Sequence, residues 1–189
     1  MRKFITLFAL IISSACAAPL NVVYIISDDH AWTDYSFMGH QQVKTPHIDQ
    51  LAKEGLTFRR GYVPSSLCCP SLATILTGKY PSQHKITSND PPMPADVAKA
   101  KFYQSKAFLE GRERINKHMD AQRTLPRILT ENGYLAMQTG KWWQGEFSRG
   151  GFTHGMTKGG RHGDAGLDIG RKTMKPIDDF LDRKAPRRD

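Results

Sequence analysis

The residues able to do chemistry in this 189-residue chain fall into three short stretches. Asp28-Asp29 stand side by side, Cys68-Cys69 stand side by side before Pro70, and Lys141 lies between Gly140 and Trp142-Trp143. Neighbouring carboxylates repel each other, and a cation between them resolves the repulsion; their oxygens suit hard Ca2+ or Mg2+. Consecutive strand residues point to opposite faces, so Asp28 and Asp29 share a ligand only where the extended backbone has ended. Adjacent cysteines reach disulfide geometry only as a strained ring, which disfavours a structural staple. No C-x-x-C or paired-histidine spacing supports zinc. One of the two thiols is therefore chemically special, and residue types alone do not say which. A lysine ammonium near anion oxygens can stabilise charge in a transition state. Each stretch also has a plain reading: a solvated acidic turn, a helix with packed thiols, a surface lysine beside aromatics. Only their convergence favours chemistry.

Convergence depends on the elements that carry them. NVVYIIS at 21–27 is an apolar, β-branched run that reads as a buried strand ending at the Asp pair. Thr45-Pro46 opens a helix with Ile48, Leu51 and Ala52 on one face, closed by Gly55. Residues 56–63 read as a second strand. A loop follows, and 70–77 reads as a helix ended by Gly78, whose free N–H groups would attract an anion. SNDPPMP at 88–94 is a turn-rich break. The polar segment 97–118 reads as a partly helical surface insertion. Thr124 caps another helix, with Pro126 in its first turn and Gly133 beyond it. Residues 134–138 read as a third strand, 145–170 as an ordered loop, and 173–182 as a last helix. Strands alternating with helices predict an α/β fold with a mainly parallel sheet flanked by helices. Ligands of such sheets gather beyond the carboxyl ends of the strands, which is where all three stretches fall.

The first residues, MRKFITLFALIISSACAAP, carry a basic end, a short apolar run and Ala15-Cys16-Ala17, which fits a cleavage site. Residues 1–17 therefore read as a signal peptide, and 18–189 as one domain or part of one. The apolar run is too short to span a bilayer, so no stable membrane anchor is expected. Cys16 invites a lipoprotein reading, which the Ser13-Ser14-Ala15 run before it disfavours. The protein is expected to be exported, to a periplasm or the extracellular space. The formal charge of +9 favours anionic partners. Without a basic-aromatic repeat, nucleic acid is not among them.

Together, NVVYIISDDHAWTDYSFMGH, TPHIDQLAKEGLTFRRGYV, CCPSLATILTGKYPSQH and GYLAMQTGKWWQGEF resemble, in order and spacing, the N-terminal part of the type I, formylglycine-dependent sulfatases. The resemblance covers about 21–155 and implies an alkaline phosphatase-like superfold. The family motif C-x-P-S-R…T-G aligns with Cys68 first, because Thr77-Gly78 then fall at the right offset; Cys69 takes the variable position. The resemblance implies that Cys68 becomes formylglycine, through a formylglycine-generating maturation enzyme. Its hydrate would attack sulfur with one hydroxyl and expel sulfate through the other. Asp28, Asp29 and the modified Cys68 would hold Ca2+, or Mg2+, and Lys141 would bind a sulfate oxygen. The implied activity is sulfuric ester hydrolysis, with sulfated carbohydrate as the favoured substrate.

Two positions depart from the family pattern. Leu72 stands where arginine is usual, and Trp143 stands where histidine is usual. His154 and His162 are candidate replacements, though ordinary loop histidines are the stronger reading. Family members are also much longer, with a second ligand pair downstream, so the chain reads as an N-terminal fragment. The isolated chain is expected to be poorly stable and weakly active or inactive. Two other readings stay open: a phosphate or phosphonate ester hydrolase of the same superfold, and a non-catalytic anion-binding remnant.

Overall fold

The computed structural model describes residues 20–160 and 162–183. The leader reading at 1–17 lies outside these residues. The chain divides into two compact units, 1–56 and 57–189.

In the first unit, short 3-10 turns at Trp32–Asp34 and Ser36–Met38 precede helix α1, Pro46–Glu54. Thr45 sits at the N-cap, yet its hydroxyl does not cap the helix. It donates instead to Asp49 Oδ1 at 2.7 Å, while Ser36 Oγ donates to Asp49 Oδ2 at 2.6 Å. These two bonds hold the Asp49 carboxyl below its ordinary range, because both stabilise the charged form. The expected strand at 21–27 is not assigned as a strand and pairs with none among the described residues. Its side chains are exposed, Ile25 to 86%. An apolar, β-branched run specifies extended backbone; it does not specify the neighbour that makes it a strand. Ile48 and Leu51, the expected apolar face of α1, are likewise exposed.

The second unit holds the core. Helix α2, Cys68–Thr77, begins two residues before the expected Pro70, which sits inside its first turn. Gly78 ends it in the left-handed region at φ 66°, donating to Thr74 O. A short helix α3, Pro81–His84, follows. Its His84 is buried; Ile86 N–H donates to Nδ1, which leaves Nε2 as the donor to the Thr74 hydroxyl at 3.0 Å. Burial lowers the His84 pKa, in keeping with a neutral ring. The expected strand at 56–63 is exposed and forms no β-strand among the described residues, for the same reason as 21–27.

The segment expected as a surface insertion is better ordered than its polarity suggested. It contains α4, Lys99–Phe102, and α5, Lys106–Asp120. Helix α5 buries Phe108, Arg112, Asn116 and Met119, three or four residues apart along one face, with Gly111 beside Arg112. Helix α6, Leu125–Glu131, is capped by Thr124, whose side chain accepts from Arg127 N–H. Strand β1, Met137–Gln138, pairs in parallel with β2, His154–Gly155, in the register Met137 to His154 and Gln138 to Gly155. So the third expected strand is present in shortened form, and the glycine-rich region after it supplies its partner. Helix α7, Lys175–Leu181, closes the described chain. Cys69, Ala73, Ile86, Met119 and Trp143 form the core cluster, with Cys68, Leu72 and Ile115 packed against it. Among the described residues, no helix is long and apolar enough to cross a membrane.

Candidate active site

Helix α2 places its two cysteines differently although they are adjacent. Both are thiols, not a disulfide. Cys68 opens the helix and is half-buried, and Lys141 Nζ donates to its Sγ at 3.3 Å. Cys69 is fully buried. Gln144 Nε2 donates to both its Sγ, at 3.1 Å, and its carbonyl, at 3.2 Å. Burial pushes the Cys69 thiol up to about 11, against the pull of the Arg112 guanidinium beside it. A neutral thiol locked among apolar groups is a poor nucleophile. The accessible sulfur beside a cation is that of Cys68.

The N-terminus of α2 has an unusual cap. Leu67 stands at the N-cap and has no side chain that can accept. Asn89 substitutes from the turn-rich break, its Oδ1 accepting from Cys69 N–H at 2.8 Å. One free donor of the helix end is thereby satisfied while its positive end still faces the Cys68 position.

Lys141 is held by the loop that follows it in sequence. Gly140 N–H donates to Gly166 O at 3.0 Å, and Trp142 N–H donates to His162 O at 3.1 Å. The approach is close: a Cβ on Gly163, at φ 126°, or on Gly166 would meet Gly140 O at 2.6 Å. The stretch expected as an ordered loop is thus the clamp that fixes the lysine.

The two departures from the family pattern have structural settings. Leu72 packs against the core cluster. Trp143 lies in the core, with the His162 ring edge-on at 4.6 Å, Arg112 Cζ 5.7 Å from its ring centroid and Lys141 Nζ 5.8 Å from it. Of the candidate replacement histidines, His154 is engaged with Thr153 Oγ1, Arg183 Nη1 and the Phe180 ring beside β2 and α7. His162 packs on Trp143, the residue next to Lys141.

Asp28 and Asp29 belong to the first unit and are exposed. Their backbone leaves the extended run at this point, with Asp29 at φ 50°. Asp is among the residues that tolerate this region. The opposite-face alternation of a strand therefore ends here, and ligand atoms of the two side chains come within 4.8 Å of each other. Carboxylate oxygens are donors of the kind a hard cation takes. Arg112, Asn89 and Gln144 were not singled out from the sequence. The spacing of Phe108, Arg112, Ile115 and Met119 along α5 was the available signal for the first; the other two reach the site from loops with no periodic pattern.

Comparison with known proteins places the chain among homologues. The sulfatase family model matches residues 20–178. The chain is similar to arylsulfatase A of Bos taurus, 35% identical over 144 residues, which cover 76% of this chain and 25% of that one. It is similar to N-acetylgalactosamine-6-sulfatase of Homo sapiens, 29% identical over 137 residues, covering 70% and 23%. An ulvan-active sulfatase of Formosa agariphila is 31% identical over 98 residues, covering 52% and 20%. Among solved structures, the crystal structure of Ps i-CgsB is 27% identical with a TM-score of 0.51, covering 85% of this chain and 32% of that one. The chain spans about a quarter of the length of the curated relatives it matches.

Proposed function

The chain belongs to the sulfatase family, and from that premise we propose that the protein hydrolyses sulfuric esters, with sulfated carbohydrate as substrate. The observation that carries this reading is the Lys141 ammonium 3.3 Å from Cys68 Sγ, at the first residue of helix α2. Cys68 is the residue proposed to become formylglycine, in a step carried out by a maturation enzyme. The hydrated aldehyde would supply the attacking hydroxyl and a second hydroxyl whose deprotonation releases sulfate. Asp28 and Asp29, with residue 68, would hold Ca2+ or Mg2+; the end of extended backbone at Asp29 fits that role.

The chain's own groups do the rest. The positive end of the α2 dipole and the Lys141 ammonium beside Cys68 would stabilise the negative charge that accumulates on sulfate oxygens. Asn89 keeps the first turn formed, and the 162–166 loop keeps Lys141 from swinging away. Cys69, neutral and buried, stays out of the reaction. The relatives' names support the substrate class: one names N-acetylgalactosamine 6-sulfate chemistry and another names ulvan. The net charge of +9 suits an anionic substrate. The signal-peptide reading of residues 1–17 supports an exported setting, periplasmic or extracellular, as part of this proposal.

The test is calcium-dependent release of nitrophenol from nitrophenyl sulfate by the gene product co-expressed with a formylglycine-generating enzyme. Cys68→Ala should abolish turnover. Lys141→Ala should cut kcat/KM by about a hundredfold, the size of effect seen when one charge-stabilising donor is removed. Turnover that survives Cys68→Ala contradicts the proposal.

A further inference from the structure

Arg112 lies on the buried face of α5, a segment whose sequence reads as peripheral, yet its guanidinium reaches both halves of the Cys68–Lys141 pair. On one side, Nη1 donates to Asn89 O at 2.6 Å, and the same Asn89 accepts the Cys69 N–H through Oδ1. On the other, the guanidinium lies over the Trp143 ring, which also carries Lys141 Nζ on its face. Trp143 is adjacent in sequence to the clamped stretch that ends at Trp142. A buried cation is costly unless its donors and its charge are used. Here one N–H is used by a carbonyl and the charge by an aromatic face.

We infer that Arg112 is a positioning residue for residue 68: it fixes Asn89, and through Asn89 the first turn of α2, while its position over Trp143 ties that turn to the Lys141 segment. With Gln144 it keeps Cys69 turned inward, so that the neighbouring side chain is the one presented to Lys141. The fork matters as well as the charge, because the guanidinium donates to Asn89 while its carbon lies 5.7 Å from the Trp143 ring centroid. Leu72, at the position where the resemblance implies arginine, packs on the core and offers no donor to this turn. The catalytic consequence rests on the sulfatase reading; the bracket itself does not.

The experiment is amide hydrogen exchange on the whole chain, with iodoacetamide mapping of the two thiols. Cys69 N–H, at the second position of α2, owes its protection to Asn89, since no helical carbonyl lies four residues behind it. In Arg112→Met that amide should exchange about tenfold faster, as loss of one buried hydrogen-bond anchor implies, and the Cys69 thiol should become alkylated. Amides of α6 should keep their rates. Arg112→Lys should restore part of the protection, keeping one donor and the charge without the fork. Asn89→Ala should reproduce the Arg112→Met pattern. Arg112→Gln, which keeps a donor without the charge, carries the test should Arg112→Met not fold. Its Cys69 protection should lie between that of the natural chain and that of Asn89→Ala; protection equal to the natural chain's overturns the inference. Unchanged Cys69 protection in Arg112→Met, whatever Asn89→Ala does, or a uniform increase through α6, overturns the inference. None of these readouts needs turnover. An unmodified Cys68 beside a responsive Cys69 amide would therefore sink the sulfatase reading alone.

Discussion

Two identical side chains, one residue apart, have opposite fates. Cys68 meets a lysine at the open end of a helix; Cys69 is sealed beneath it by Gln144. The seal makes a prediction with a definite sign. The Cys69 thiol ionises at about 11 in the fold against an ordinary 9.0. Above pH 9 the unfolded chain loses this proton while the folded chain keeps it, so the unfolded state gains. The contribution is intact below 9.0 and is lost as pH rises to about 11, amounting to about 2–3 kcal/mol. Urea unfolding at pH 8 to 11 should therefore show the natural chain losing stability faster than Cys69→Ala. Parallel curves would refute the account of this thiol. The offset from Cys68 to Thr77-Gly78 was legible in the sequence, and so were the Asp pair and Lys141. What the sequence did not reveal is how the cysteines are told apart. The deciding groups, Asn89 and Gln144, are 20 and 75 residues away. Nothing local marks an asparagine in a turn as a helix cap.

Helices were easier to read than strands, and the reason is physical. Helix α2 fulfils its own backbone bonds, and its terminating Gly78 is visible in the sequence. The runs at 21–27 and 56–63 have the composition of strands, but a strand exists only with a partner strand, and among the described residues neither run is assigned as one. Conversely β2, His154–Gly155, carries no strand composition and is made by its pairing to β1. Helix α5 was underestimated because its exposed charges dominate its composition while its apolar face is narrow. Gly111 within it separates two effects. Helix propensity alone favours Gly111→Ala by about 1 kcal/mol. Yet a Cβ there would lie 2.4 Å from Pro91 Cβ, on the segment that also carries Asn89. Overpacking should prevail, giving a net loss of about 1–2 kcal/mol. Thermal unfolding of Gly111→Ala measures it; a stabilised variant would show that α5 and the 88–94 turn are not packed as described.

At the scale of the whole molecule, family and superfold were legible because four separated stretches keep their order and spacing. The family model accordingly runs through both compact units, from residue 20 to 178. The chain-wide excess of positive charge is a property of the same scale, and it points toward anionic substrate without choosing one. The α/β reading holds, with a parallel pair of strands flanked by helices. All of the proposed chemistry depends on what residue 68 becomes. The most direct measurement is the mass of the tryptic peptide containing Cys68 and Cys69, from protein co-expressed with a formylglycine-generating enzyme. The account predicts a peptide about 18 Da lighter than the encoded sequence, as replacement of a thiol by an aldehyde requires, with fragmentation placing the loss at Cys68 and Cys69 still able to be alkylated after denaturation. Two intact thiols, or a loss placed at Cys69, would contradict it.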